Sequence, residues 1–249
     1  MEILFAGHPL YEFGAKLQSY PEIRPNKPDT EVFQGSGRSS IQLLMNRRSY
    51  KQMHCVIDFL ELSGYERTRR QSDFEALFVG DDPVEIDFGD GFFYRAVLTG
   101  VSDAKTVGEY ITTVEYQFIV TRHTQIQELI IEPNGGAFRC ESNVRKTDCT
   151  IYLPHTLWSG GTLVLIELNK PQQEWVLQEN FDGDILLDGV NKRFLKQTAS
   201  GTWKNIASKL SWTDFPYLIP GENSLNISIN GGPSLTGHTA KITYTPTYL

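Results

Sequence analysis

Between Tyr110 and Val120 the chain reads YITTVEYQFIV, an alternation that suits an extended strand and little else. Successive side chains of a strand point to opposite faces. Tyr110, Thr112, Val114, Tyr116, Phe118 and Val120 therefore share one face, and Glu115 and Gln117 lie on the other. A strand this long needs neighbours for its backbone and a cover for its apolar side, so the segment predicts an antiparallel sheet built on a core. Composition points the same way. Fourteen Phe, 11 Tyr, 21 Gly and 12 Pro in 249 residues suit a β-rich chain with many turns. A hydrophobic content of 40% with 21% charged residues belongs to a soluble globular protein, of one large domain or two ordinary ones.

Further strands follow from the same pattern. A short one is expected at Glu2 to Phe5, before a Gly7/Pro9 turn. Val84 to Phe88 and Phe92 to Leu98 flank Gly89-Asp90-Gly91, and Asp-Gly between two such runs signals a hairpin. Met53 to Leu62 places Met53, Cys55, Ile57 and Phe59 on one side and Val56, Leu60 and Leu62 on the other, which predicts a strand buried on both faces. One helix is expected after it. Ser63 and Glu66 have capping-box spacing, and Phe74, Leu77 and Phe78 lie at i, i+3 and i+4, with Arg67, Arg69 and Arg70 left in water. Those arginines and Arg47/Arg48 suit subunit contacts, although a solvated face is the simpler reading. Tyr20 to Thr30 holds three prolines, which disfavours regular structure and predicts an extended arm; Gln34 to Ser40 is a second loose stretch.

The pattern changes at Pro133-Asn134-Gly135-Gly136, which divides the chain into residues 1–132 and 133–249. Beyond it come short strands without helices: Cys149 to Leu153, Thr162 to Leu168, Asp184 to Asp188, Val190 to Leu195 and Ser224 to Ile229. Such spacing predicts a β-sandwich. The last strand, Lys241 to Tyr244 within residues 241–249, either finishes the sandwich or returns to the first domain. Ile219-Pro220-Gly221-Glu222 suits a type II turn, with Pro fixing φ at the second position and Gly supplying positive φ at the third. Leu225, Ile227 and Ile229 then enter the core together.

Chemistry-bearing constellations are sparse. His8, His54, His123, His155 and His238 have no metal-ligand spacing, and no metal or cofactor is expected. Ser63-Gly64 and Ser159-Gly160 lack the flanks of a nucleophile elbow, and Gly35-Ser36-Gly37 and Gly231-Gly232 lack the Lys-Ser/Thr of a P-loop. Asp182, Asp184 and Asp188 gather at one turn and make a conceivable glycosidase pair, but Asp is also a routine turn residue. Trp158, Trp175, Trp203 and Trp212 are candidates for stacking on sugar, with core filling the commoner fate of Trp. Cys55, Cys140 and Cys149 read as buried, reduced thiols. A formal charge of −7 disfavours a polyanion-binding surface. No apolar run approaches the length of a transmembrane helix, and no basic start or signal-like core opens the chain, so an unexported protein is expected. On residue chemistry alone, a scaffold or binding module is favoured over an enzyme.

Taken in order, these segments carry a resemblance. ILFAGHPLYEFGAKL, GSGRSS, MHCVIDFLEL, ERTRRQSDFEALF and VEIDFGDGFFYRAVL, then NGGAF, NFDGDILLDGVNKRFLK and DFPYLIPGENSLNIS with its Pro220, Gly221 and Asn223, resemble the distal tail proteins. These belong to long-tailed, non-contractile bacteriophages of Gram-positive bacteria. Ser39-Ser40 departs from the family's Gly-Arg-Asp/Asn-Gly turn. The resemblance implies a mainly β, two-domain fold: an N-terminal β-sandwich with one α-helix and an extended arm, and a C-terminal galectin-like β-sandwich. It implies a non-enzymatic hub at the distal end of the virion tail, made in the host cytoplasm, in which six copies form a ring or double ring around a channel for DNA. The implied partners are the tail tube protein, a tail-associated fibre or lysin protein, and upper baseplate or receptor-binding proteins, with no stable nucleic-acid binding and no membrane. The alternative is a carbohydrate-binding tail component that recognises cell-wall saccharide through the galectin-like domain.

Overall fold

The computed structural model describes residues 2–25, 29–33, 42–47, 51–61, 63–80, 82–157, 163–169, 171–177, 183–198, 200–230 and 237–248. The chain is mainly β and divides into two compact units, residues 1–124 with 248–249, and residues 125–247.

The first unit is organised by the long alternating segment, observed as the strand Ile111–His123. It pairs along ten residues with Lys51–Leu60 on one side, from Ile111 opposite Leu60 to Val120 opposite Lys51. On the other side it pairs with Phe93–Val101, with a register shift between Gln117 and Phe118. Val84–Asp87 and then Leu4–Phe5 extend the sheet beyond Phe93–Val101, and Ala15–Leu17 and Glu22–Pro25 pair with Lys51–Leu60. Val114, Tyr116, Phe118 and Val120 are buried, as the alternation predicts, together with Met53, Cys55, Ile57 and Phe59. The opposite side of Lys51–Leu60 departs from expectation: Val56 is half-buried and Leu60 exposed. This antiparallel sheet is buried on one face, where a run of apolar residues had suggested two.

Helix Gly64–Glu75 begins at Ser63, whose Oγ accepts from the Glu66 backbone N–H at 3.1 Å. That bond satisfies one of the donors a helix start leaves free. The helix places Phe74 among Phe5, Phe13, Phe78 and Tyr116, with ring centroids 5.2–5.6 Å away and edge-to-face inclinations. Tyr116 Oη also donates to Glu75 Oε1 (3.0 Å), tying the helix to the central strand. Arg67 does not stay in water: it is only 7% exposed. Its Nη1 donates to the Glu61 and Glu109 carbonyls at 2.7 and 2.8 Å, and its Nε donates to Thr112 Oγ1 at 3.1 Å. The guanidinium is buried because it answers carbonyls from two loops at once, a demand invisible to helical periodicity.

The Gly89-Asp90-Gly91 hairpin turn forms where expected. Asp90 Oδ2 accepts from the hydroxyls of Tyr20 and Tyr94 (2.5 and 2.7 Å), and Asp90 Oδ1 accepts from Phe92 N–H (3.0 Å). The proline-rich arm is more regular than predicted. Glu22–Pro25 is an edge strand ending at Pro25, a place where a missing N–H costs the ladder little. Asp29–Phe33 pairs with Gln42–Arg47 in a separate two-stranded hairpin. The loose stretch Gln34 to Ser40 lies outside the described residues.

The second unit is a two-sheet sandwich. One sheet runs Gln127–Ile131, Ala240–Tyr244, Thr147–Leu153, Ile185–Asp188, Arg193–Gln197 and Trp203–Asn205, with Tyr217–Leu218 paired to Thr147–Leu153. The other runs Ala137–Cys140, Gly221–Asn230, Leu163–Leu168, Gln173–Leu177 and Leu210–Trp212. Ile151, Leu153, Leu187, Ile242 and Tyr244 of the first meet Ile166, Leu168, Trp175, Leu225 and Ile227 of the second in one core. Ala240–Tyr244 lies between Gln127–Ile131 and Thr147–Leu153, whereas Tyr248 belongs to the first unit, edge-on to Phe92 at 5.7 Å.

The turn before Gly221–Asn230 forms as predicted, with Gly221 at φ +85°. Its partner is Asn223, which is buried: Oδ1 accepts from Ile219 N–H (2.9 Å), and Nδ2 donates to the carbonyls of Ile219 (2.9 Å) and Gly221 (3.0 Å). Nothing lies within 4 Å of where a Gly221 Cβ would point, so substitution there strains the backbone without a clash.

Two variants test these supports. Gly221→Ala is expected to lower stability by about 1 kcal/mol through the positive φ alone, read as a lower melting midpoint; an unchanged midpoint contradicts the turn. Arg67→Met, which leaves two carbonyls unanswered, is expected to cost about 2 kcal/mol in urea unfolding. A loss under about 0.5 kcal/mol, the scale of an ordinary surface change, contradicts the role given to Arg67.

Candidate functional site

The histidines stay apart. His8 Nδ1 meets Glu12 Oε2 at 3.1 Å on an exposed turn, and His54 Nδ1 meets Glu115 Oε1 at 3.0 Å. Buried His123 lies stacked on Phe93, with 5.7 Å between centroids, and its Nδ1 donates to the Thr124 carbonyl (3.2 Å). His155 gives its backbone N–H to Asp184, and His238 is half-buried. Among the described residues no three His, Cys, Asp or Glu side chains gather as a metal site. The three cysteines are buried and free, and burial pushes the Cys55 thiol up to about 12.

Asp184 and Asp188 do not share a turn: they stand at opposite ends of the strand Ile185–Asp188, and both carboxylates are occupied with folding. Asp184 accepts from Tyr152 Oη and from His155 N–H (2.8 Å), and that hydroxyl's hydrogen bond to Asp184, with burial, moves Tyr152 up to about 12. Asp188 Oδ1 accepts from Asn191 N–H (3.0 Å), and Oδ2 accepts from Asn191 Nδ2 (2.8 Å) and Arg193 Nε (2.9 Å). Gly189 follows because a Cβ there would stand 2.0 Å from the Pro216 carbonyl oxygen. Burial pushes the Asp188 carboxyl up, but the bonds from Asn191 and Arg193 outweigh it and hold the group below its ordinary value. Asp182 lies outside the described residues.

The four tryptophans have different fates. Trp175 is fully buried, with Nε1 donating to the Asp214 carbonyl at 2.9 Å. Trp203, on the edge strand Trp203–Asn205, is 36% exposed, and Trp158 lies outside the described residues. Trp212 is 41% exposed on the edge strand Leu210–Trp212. Its ring lies 5.0 Å from Phe215 and 5.2 Å from buried Phe194, and Phe194 and Phe215 stack at 5.0 Å.

Beside these rings stand charged groups that are remote in sequence. Lys192 Nζ is 5.7 Å from the Phe215 ring centroid and 2.9 Å from Asp148 Oδ1. Lys146 Nζ sits 3.9 Å over the Tyr217 ring and 3.1 Å from Asp214 Oδ2. Asp214 Oδ1 accepts from Phe215 N–H at 2.8 Å. Burial raises the Asp214 carboxyl, but the bonds from Lys146 and Phe215 N–H prevail and keep it below its ordinary value. Trp212 was a sequence candidate; the lysines and aspartates around it were not, because no spacing links them.

Solved structures supply the comparison for this two-unit β architecture. The chain is similar to the crystal structure of the SPP1 Dit protein, described as a paradigm of the hub adsorption apparatus in phages infecting Gram-positive bacteria. The TM-score is 0.71 and the identity 14%, over 100% of this chain and 99% of that one. It is also similar to a chain of the phage P2 baseplate in its activated conformation with Ca, at a TM-score of 0.50 and 10% identity, over 96% and 92% of the two chains. The protein therefore has the fold of a phage distal tail hub protein. No protein-family model and no curated protein matches the chain.

The depressed folded-state pKa of Asp188 gives stability that is present above the ordinary carboxylate value near 4 and is lost as pH falls through the lower folded value. Asp188→Asn is therefore expected to lower stability at pH 7 and to flatten its decline below pH ~4. A decline as steep as that of the parent protein contradicts this assignment.

Proposed function

We propose that this chain is a structural hub of a phage tail tip or baseplate. In this reading six copies form a ring, single or doubled, that joins the tail tube to tail-associated and receptor-binding proteins around a channel for DNA. The observation that carries the reading is the similarity to SPP1 Dit from end to end, covering both units rather than one common β-sandwich. Two cores of their own, one in each unit, fit a protein that holds neighbours in a fixed arrangement.

Charge supports the channel. Six chains of formal charge −7 carry −42, and a passage for DNA must not retain phosphates. The hairpin of Asp29–Phe33 and Gln42–Arg47, which pairs with none of the three larger sheets among the described residues, is the proposed clasp on a neighbouring copy. Catalysis has no place in the proposal. Asp184 and Asp188, the carboxylates with the best claim to a hydrolytic pair, stand at opposite ends of one strand and are held by hydrogen bonds that serve the fold.

Mass measurement in solution with negative-stain imaging tests the assembly. A ring of six or twelve copies with a central hole is expected, alone or on adding the tail tube protein. A monomer under both conditions contradicts the hub.

A further inference from the structure

Among the described residues, six strands stand at the ends of the three larger sheets, and five of them are guarded. His8–Pro9 carries a proline, Ala15–Leu17 carries Lys16, Ala137–Cys140 carries Arg139 and Trp203–Asn205 carries Lys204. Leu210–Trp212 is only three residues long. Such devices stop an open row of N–H and C=O groups from recruiting another strand. Gln127–Ile131, in the second unit, has five residues and no Lys, Arg or Pro. Its one charged side chain, Glu128, is answered by Lys241 Nζ at 2.8 Å. Ile126 and Ile130 stand 68% and 69% exposed along it. We propose that two copies of this chain pair antiparallel through this edge.

The strand's own pattern selects a second copy. Leu129 and Ile131 pack against the core yet are only half-buried, so the sandwich is uncovered at this edge and takes one more strand. An antiparallel pair of like strands has a two-fold axis of its own, and a second copy supplies that strand with no other partner. Charge then fixes the register. With Leu129 opposite Leu129 of the partner subunit, Gln127 meets the partner's Ile131 and Glu128 meets the partner's Ile130. Sliding by two residues either way sets Glu128 against the partner's Glu128 or the partner's Glu132, and like charges directly opposite are unfavourable. A slide by one residue sets the core face of one copy against the solvent face of the other. Five residues a side fall well short of the roughly 20–30 of a standard interface, so one contact is weak, with Kd on the order of 0.1 mM. In a ring the contact is repeated, and the copies act together. The pairing does not rest on the ring: it doubles whatever the chain forms.

Sedimentation equilibrium and native mass spectrometry of the full chain, at concentrations on either side of that Kd, test it. Two copies are expected if the chain forms no ring, and twelve if it does. One copy or six at every concentration overturns the proposal, whereas the hub reading fails at one or two. Ile130→Glu sets carboxylates opposite each other in this register and is expected to weaken pairing about tenfold. Adding Glu128→Lys makes the opposed groups complementary and is expected to restore it. Pairing undiminished by Ile130→Glu, or not restored in the double variant, overturns the proposal. Melting curves verify that the variants are folded, and hydrogen exchange reads the same edge in the unaltered protein. Amides within residues 127–131 are expected to gain protection as concentration rises; unchanged protection overturns the pairing.

Discussion

Both backbone groups of Tyr217 end on one side chain: Gln173 Oε1 accepts its N–H and Gln173 Nε2 donates to its carbonyl, each at 2.8 Å. Asn134 does the same for Ile227, at 2.9 Å in both directions, and Asn223 does so for Ile219. A carboxamide has one donor face and one acceptor face, as a peptide does, so it can stand in for the strand residue that a short ladder lacks. In the second unit, where strands of two to five residues are common, the backbone polar groups at strand ends are the constraint on folding. Gln173 and Asn223 are buried with these groups satisfied, and the tight chain path around Trp175 and Phe215 follows.

That constraint explains what the sequence revealed and what it hid. Ile111–His123 was legible because its alternation persists for many residues and its inner face is fully apolar. The Gly89-Asp90-Gly91 hairpin and the Pro220-Gly221 turn were legible because their backbone angles demand those residues. Trp203–Asn205 and Tyr217–Leu218 were not, since two or three residues cannot display a period. Nor was the burial of Arg67, which depends on where the Glu61 and Glu109 carbonyls arrive. Val56 and Leu60 misled in the opposite sense, because apolar residues also occur on the open face of a sheet.

The same distinction holds for function. The hub reading rests on the succession of elements through both units, a property spread along the chain, and an ordered set of weak motifs was enough to suggest it. The cluster of rings and charges around Trp212 rests on convergence. Trp212 and Phe215 are near neighbours in sequence, but Lys146, Asp148 and Lys192 reach them from elsewhere in the sandwich. Period and spacing report what lies along one strand, so they are silent about such a meeting.

Each of the two units has a core of its own. The ring cluster around Phe74 and the Arg67 bridge hold the first unit, and neither includes a residue of the Trp212 cluster. The Trp212 cluster instead shares its foundation with the sandwich: Phe194 lies beneath Trp212 and Phe215, and the Trp175 indole holds the Asp214 carbonyl. Exposure of Trp212 is thus not a failure of folding. Phe194 and Trp175 already fill the interior, which leaves one aromatic face on a rigid base with charged groups fixed beside it.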